Sequence, residues 1–437
     1  MDLLIYSETK SIRLSYIFHH VFNRVLGLDI KITHDTDVFN QTQSPKINYS
    51  KKAFSDELFF YASDILFEKD IKHQNITFSV YNDIKIFFLC NKGVLPFDPF
   101  AASFYMLTRY EEYMPHAKDK IGRFRVEDSI AFKESFIKVP VVDHWILFIK
   151  EKLLNHFPNL SFKKQTFTFI NTIDIDNAYA YLEKGFFRTL GGAVIDIVRL
   201  NFNNFLNRIK SLFLHIKDPY DTYDELLRIH NQYQLKTIFF FLVANYGVYD
   251  KNISPFKDKF RKKIQDISTH CDIGIHASFS SIKYPGNLFI EIKRLEEIIG
   301  GNILMNRQHF LYLNMPSNYR NLIKNGIKYD YSMGFPSHPG FRAGTSYNFY
   351  FFDLTSNSTS DLLLHPFSVM DVSLKNYLNL TPTQSLDWVK EVIQNIKNVN
   401  GTFISIWHNE TLYYEYSWKK WDSVYEDMIK FIVNETN

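Results

Sequence analysis

The chain has 437 residues, 46% hydrophobic and 22% charged, with a formal net charge of +3. That balance excludes a disordered chain and argues against nucleic acid as the main partner, which calls for a concentrated basic face. The length suits two domains, or one barrel with an appendage, and either buries a large core. Cys90 and Cys271 are the two cysteines. They make no disulfide framework, so a reducing, cytoplasmic setting is expected. The first residues show no basic leader ahead of an apolar run. No stretch of about eighteen uninterrupted apolar residues occurs, so no spanning helix is expected. The 42 Phe and 27 Tyr point first to a Phe-rich core and second to sugar-stacking surfaces.

Residues 1–163 read as a smaller α/β domain. A strand over 3–6 leads into a helix over 12–26, and 76–90 reads as a strand pair turning at Asn82-Asp83. Asp98 is the expected N-cap of a helix opened by Pro99 and running through Phe104, Leu107 and Tyr110. His19, His20 and His116 are isolated. No catalytic constellation is read in this half.

From 164 to 437 the order is strand, polar tip, helix, repeated. Strands are expected in the run 169–177, with Asp174 and Asp176 at its end, and over 237–243, 273–276, 327–331, 362–364 and 402–407. Helices are expected over 223–233, 256–267, 288–299, 317–325, 383–397 and 418–433. Such alternation implies parallel strands with crossover helices, and a barrel or partly open barrel fits best. A helical insertion at about 184–217 interrupts the order. Val198, Phe202, Phe205, Ile209 and Phe213 recur there at helical spacing, among Arg199, Arg208, Lys210 and Lys217. Packing onto the barrel is the expectation, and peripheral contact with a membrane is the alternative.

The chemistry sits at strand ends. Asp174 and Asp176 close the apolar run Phe-Ile-Asn-Thr-Ile-Asp-Ile-Asp, and His276 and His408 close two later ones. The C-terminal edge of parallel strands is where ligands bind. Carboxylates and imidazoles gathered there suit a borderline divalent cation.

Four segments, Thr-Ile-Asp-Ile-Asp (172–176), Gly-Ile-His-Ala-Ser (274–278), Arg-Gln-His-Phe-Leu (307–311) and Trp-His-Asn (407–409), stand in a telling order. They resemble the motifs of polysaccharide deacetylases of the NodB-homology, carbohydrate-esterase-4-like type, over roughly 166–437. The stretch 97–113 resembles an accessory domain attached to bacterial members. The resemblance implies a distorted (β/α) barrel that uses a divalent metal ion, zinc first, to remove N- or O-acetyl groups from a carbohydrate. The setting implied is cell-envelope or exopolysaccharide metabolism, with an acetylated glycan precursor as partner. By position, Asp174 is implied as general base, Asp176 and His276 as metal ligands, and a late histidine as general acid.

The chain departs from the pattern at Ser280, where many members place another ligand. His309 is the expected replacement, with a water held by Ser278 or Ser280 as the alternative. His408 is preferred to His365 as the acid. Arg307 and Arg342 compete to fix Asp174 through a bidentate pair, and Asp371 is the candidate for orienting the acid. Two rival functions stay open: a same-fold amidase or imidase on a small C–N substrate, and a catalytically weak carbohydrate-binding protein without metal.

Overall fold

Short strands buried on both faces set the architecture of this computed structural model, which describes residues 2–214, 216–413 and 418–434. In the first half, β1 (Leu3–Ser7), β2 (Ile30–Thr33), β3 (Lys46–Ser50) and β4 (Leu58–Tyr61) form a parallel sheet in the order β2-β1-β3-β4. The hairpin β5 (Phe78–Tyr81) to β6 (Ile84–Phe87) turns at Asn82 and Asp83, whose φ values of 47° and 62° are those a tight hairpin turn requires. Asp98 caps the helix Pro99–Leu107, its Oδ1 accepting from the N–H groups of Phe100 and Ala101 at 3.0 Å each.

The second half contributes β7 (Thr168–Ile175), β8 (Thr237–Phe241), β9 (Asp272–Ala277), β10 (Met305–Gln308), β11 (Tyr329–Asp330), β12 (Phe349–Asp353), β13 (Ser358–Leu364), β14 (Val369–Met370) and β15 (Thr402–His408). They make one nine-stranded sheet, in the order β12-β13-β11-β10-β9-β8-β7-β15-β14. All neighbours are parallel except the edge pair β12 and β13.

Of the two expected forms, closed or partly open barrel, the sheet has the open one, because among the described residues β12 and β14 do not pair. It is nevertheless rolled. Ile238 and Phe240 of β8 pack with Ile404 and Ile406 of β15, Tyr331 and Phe367 in a small inner core. Their strand neighbours Phe239, Phe241, Phe403 and Trp407 join the large outer core. The segment 365–368 crosses between the two sides: the N–H groups of His365 and Phe367 donate to Asp330 O and Met333 O, while that of Ser368 donates to Ile404 O. Pro366 has no N–H to continue a ladder, which explains why the chain crosses without strand pairing.

The outer core runs without a break from β1 through the helices of the first half to the large sheet. Polar ties cross the same boundary. Arg342, expected as a partner of Asp174, instead grips Glu112 with Nε and Nη2 at 2.8 and 2.6 Å. Arg109 reaches the same carboxylate at 2.8 Å and also donates to Arg342 O. The loop carrying Arg342 lies against the first half rather than at the strand ends, so this arginine is structural. The insertion corrects a second expectation. It forms helices Phe186–Val198 and Phe202–Phe213, but Phe186 and Phe187 are 74% and 87% exposed rather than packed.

Truncating one partner of a buried charge network leaves the other uncompensated. Arg342→Ala is expected to cost about 3–5 kcal/mol of stability with metal binding retained. Urea unfolding beside a metal titration checks this. A loss below about 1 kcal/mol, as for an exposed pair, would remove the structural role.

Candidate metal centre and catalytic pocket

Alternate residues of a strand face the same way. Asp174 and Asp176 therefore point together from β7 and its end, while Ile173 and Ile175 lie in the outer core. On β9 the inward positions are Gly274 and His276. A Cβ at Gly274 would lie 2.4 Å from the Phe240 ring, so only glycine admits that ring beneath the site. His408 on β15 is the register partner of Asp174, and Arg307 on β10 is that of His276.

Three ligand atoms converge. One oxygen or ring nitrogen each from Asp176, His276 and His309 lie within 4.8 Å of one another. His276 Nδ1 bonds Arg307 O at 2.9 Å, so it carries the hydrogen and Nε2 is left with a lone pair. That Nε2 stands 3.0 Å from Asp176 Oδ1, yet this oxygen is buried without a hydrogen-bond partner. Two acceptors face each other, and a cation or a proton must lie between them. His309 repeats the arrangement: Nδ1 bonds Asp250 Oδ1 at 2.9 Å and Nε2 faces Asp176 Oδ2 at 3.4 Å. Two imidazole nitrogens and one carboxylate are a donor set that fits zinc or a similar cation.

Asp250 was not singled out from the sequence, although it orients one of these ligands. It lies nine residues past the end of β8, in a loop where strand-end reasoning loses its grip. The N–H groups of Phe279 and Ser280 hold its carboxylate at 2.7 and 2.9 Å. Burial raises its pKa, but His309 and those amides outweigh burial and hold it below the usual carboxylate range. Ser280 serves through this backbone contact, its hydroxyl being bound to Ser278 Oγ at 2.9 Å and to Asn287 Nδ2 at 3.2 Å.

Electrostatics separate the remaining groups. Burial pushes the Asp176 carboxyl up, but His309 and His276 pull harder and hold it well below the ordinary value. Burial also disfavours the His309 imidazolium, yet Asp176 and Asp250 raise that ring to about 9. His408 Nδ1 donates to Asp371 Oδ1 at 2.8 Å, and Asp371 Oδ2 accepts from the His408 N–H and the Thr411 hydroxyl. Burial opposes charge on His408 as well, but Asp371 wins and lifts it well above its usual value.

Asp174 takes no part in the triad. Its Oδ2 lies 3.6 Å from Arg307 Nη1 and 3.9 Å from His276 Nε2, and its Oδ1 is buried without a partner. Arg307 is fully buried, stacked on Phe240 and Phe367 at 5.0 and 5.4 Å, and donates to Thr172 Oγ1 at 3.0 Å.

Asp174, Asp176, His276, His309 and His408 line one cavity of about 130 Å³. His365 does not reach it. It stacks on Tyr331 at 4.5 Å beside Thr168, Lys236 and Thr402, at the opposite, N-terminal edge of the sheet, and burial lowers it to about 4. The first half, in which no catalytic constellation was read, does reach it. Arg123 lines the cavity, donating to Phe310 O at 2.8 Å, Tyr377 Oη at 3.0 Å and Asp119 at 2.7 Å.

Among known proteins, a family of unknown function, DUF7033, matches residues 3–158. No curated protein matches the chain. Solved structures similar to it include a candidate polysaccharide deacetylase of Mycobacterium smegmatis, at a TM-score of 0.41 and 15% identity over 62% of this chain and 85% of that one. Puue allantoinase gives 0.38 and 10% over 62% and 84%. A polysaccharide deacetylase of Bacillus cereus gives 0.30 and 10% over 62% and 88%. Overlaps this low carry no functional weight, which falls on the geometry above.

A cation at the triad competes with the proton on His309. Metal affinity is therefore expected to rise about tenfold per pH unit from neutrality and to level off near 9. Asp250→Ala, which removes the group orienting His309, is expected to weaken binding about 10–100-fold. Calorimetric zinc titrations across that range check both, and an affinity independent of pH would contradict the ligand role of His309.

Proposed function

We propose that this protein is a metal-dependent hydrolase of the NodB deacetylase type, removing an acetyl group from an amine or hydroxyl of a carbohydrate. The observation that carries the reading is the cavity itself. A closed-up ligand triad, a separate carboxylate and a charged histidine share it. We further propose a division near 163, with the first half serving as an accessory domain that completes the pocket wall through Arg123.

Asp176, His276 and His309 would hold the cation. When bound, it supplies a Lewis acid and lowers the pKa of a coordinated water from about 16 towards 7. Asp174 is the base in this scheme, with Oδ1 free to take a proton and Arg307 fixing its other side. His408, kept as an imidazolium by Asp371, gives a proton to the departing amine or alkoxide. Arg307 also contributes positive charge beside the reacting centre.

An aromatic rim supports a carbohydrate. Tyr249 packs on Phe279 at 4.3 Å and on Phe310 at 5.9 Å, and Phe310 lines the cavity mouth. Flat apolar faces of this kind suit a sugar ring. A complete donor set speaks for an enzyme over a metal-free binding protein.

Acetate release from N-acetylated and O-acetylated oligosaccharides by the zinc-loaded protein tests the reading. Asp174→Asn is expected to abolish release while metal stays bound. His408→Ala is expected to lose about 10²–10⁴ in rate, and His365→Ala, at the far edge, to change little. Full activity in Asp174→Asn would remove it as base, and hydrolysis confined to small amides would favour the amidase reading.

A further inference from the structure

The insertion after β7 is built inside out. Its helices Phe186–Val198 and Phe202–Phe213 are joined through Asp196 and Arg208, whose Nε and Nη2 donate to Asp196 Oδ2 at 3.0 and 2.8 Å. Gly192 makes room for this pair, since a Cβ there would lie 2.7 Å from the guanidinium. Asp196, Arg208 and Ser211 are the buried residues of the two helices. The apolar side chains face outward instead: Phe186, Phe187, Val198, Leu200, Phe202 and Phe213 are each more than half exposed. A helix pair in water does the reverse, and this many large apolar side chains exposed on one insertion mark a contact site.

Charge says what the contact is. From Lys184 to Lys217 the sequence holds Lys184, Arg188, Arg199, Arg208, Lys210 and Lys217 against one carboxylate, Asp196. Six cations against one anion give +5 over this span, flanked by Glu183 and Asp218, with Arg208 paired to Asp196 and Lys217 to Asp224 at 2.7 Å. Arg199 and Lys210 are exposed and make no ion pair among the described residues. A second copy of the chain would set these charges against their like, which opposes docking. An anionic surface complements them.

The surface continues beyond the insertion. Arg188 donates to the carbonyls of Asn252 and Lys251 and lies 4.1 Å over the Tyr246 ring. The loop after β8 thereby adds Tyr246, which is 59% exposed, and the same loop also exposes Val248 and Phe256, at 80% and 66%. Both segments leave the C-terminal edge of the large sheet, the edge that carries the pocket. The helices have 13 and 12 residues, too short to cross a bilayer, which takes about 20.

We propose that the helix pair and the loop after β8 seat the protein on an anionic phospholipid bilayer. Apolar side chains enter the headgroup boundary, Arg199 and Lys210 lie at phosphate level, and the pocket opens on the same side. The inference stands apart from the reaction, because binding is read without substrate.

The test is sedimentation of the full-length protein with vesicles of equal parts phosphatidylcholine and phosphatidylglycerol. Binding is expected, about tenfold weaker on phosphatidylcholine alone, and it falls as salt rises. Phe186→Ser combined with Phe187→Ser and Phe213→Ser is expected to lower partitioning about tenfold or more with an unchanged thermal melt. Val80→Ser, which alters an exposed residue of the first half, is expected to change neither. In Phe187→Trp, indole emission is expected to shift to the blue on adding the mixed vesicles. Failure to sediment with them, an emission indifferent to them, or a dimer seen by light scattering that the triple substitution dissociates would each overturn the proposal.

Discussion

The site depends on one confrontation of like groups. His276 Nε2 and His309 Nε2 both face the Asp176 carboxylate, because each ring has spent its Nδ1 hydrogen on a fixed acceptor, Arg307 O for one and Asp250 for the other. Lone pairs turned toward a carboxylate repel unless a cation or a proton separates them. Orienting acceptors of this kind are what make imidazoles good ligands, since they set the tautomer and the ring plane together. The fold holds both acceptors through backbone, a carbonyl on β10 and the amides of Phe279 and Ser280, so the arrangement survives side-chain motion.

Around that centre the sheet divides labour by strand parity. Inward positions carry the candidate site at the C-terminal edge and the small apolar core beneath it, while outward positions bind the roll to the helices and to the first half. Asp174 and His408 are neighbours because β7 and β15 pair in register, although they are 234 residues apart in sequence. The first half completes the site as well as the core. Arg123 fixes the carbonyl of Phe310, the residue following His309, so a wall of the cavity is set by a chain segment far from the motifs.

Much of this was legible in the residues. Asp174, Asp176, His276 and His408 each end an apolar β-prone run, and a carboxylate or imidazole at that position is conspicuous against the burial of its neighbours. His309 was legible through the Arg-Gln-His-Phe-Leu segment together with the absence of a ligand at Ser280. Asp250 and Arg123 were not, because each sits in a loop whose path is set by tertiary contacts rather than by periodicity. Arg342 was misread for the same reason: its Gly-Phe-Arg-Ala-Gly surroundings carry no signal that Glu112, 230 residues away, is its partner. β10, β12 and β14 were missed because runs of two to five residues show too little alternation to stand out. A partly open barrel was within the expectation, but the place of the seam was not legible, because Pro366 reveals where pairing stops only once its neighbours are known. The insertion showed the expected helical spacing, but spacing alone does not tell which face is turned inward.

The most direct test of the account is anomalous diffraction at the zinc edge from crystals grown with zinc. One peak is expected about 2.0–2.2 Å from His276 Nε2, His309 Nε2 and a carboxylate oxygen of Asp176, with Asp174 outside the coordination sphere. A peak held by other residues, or none between these three side chains, would contradict it.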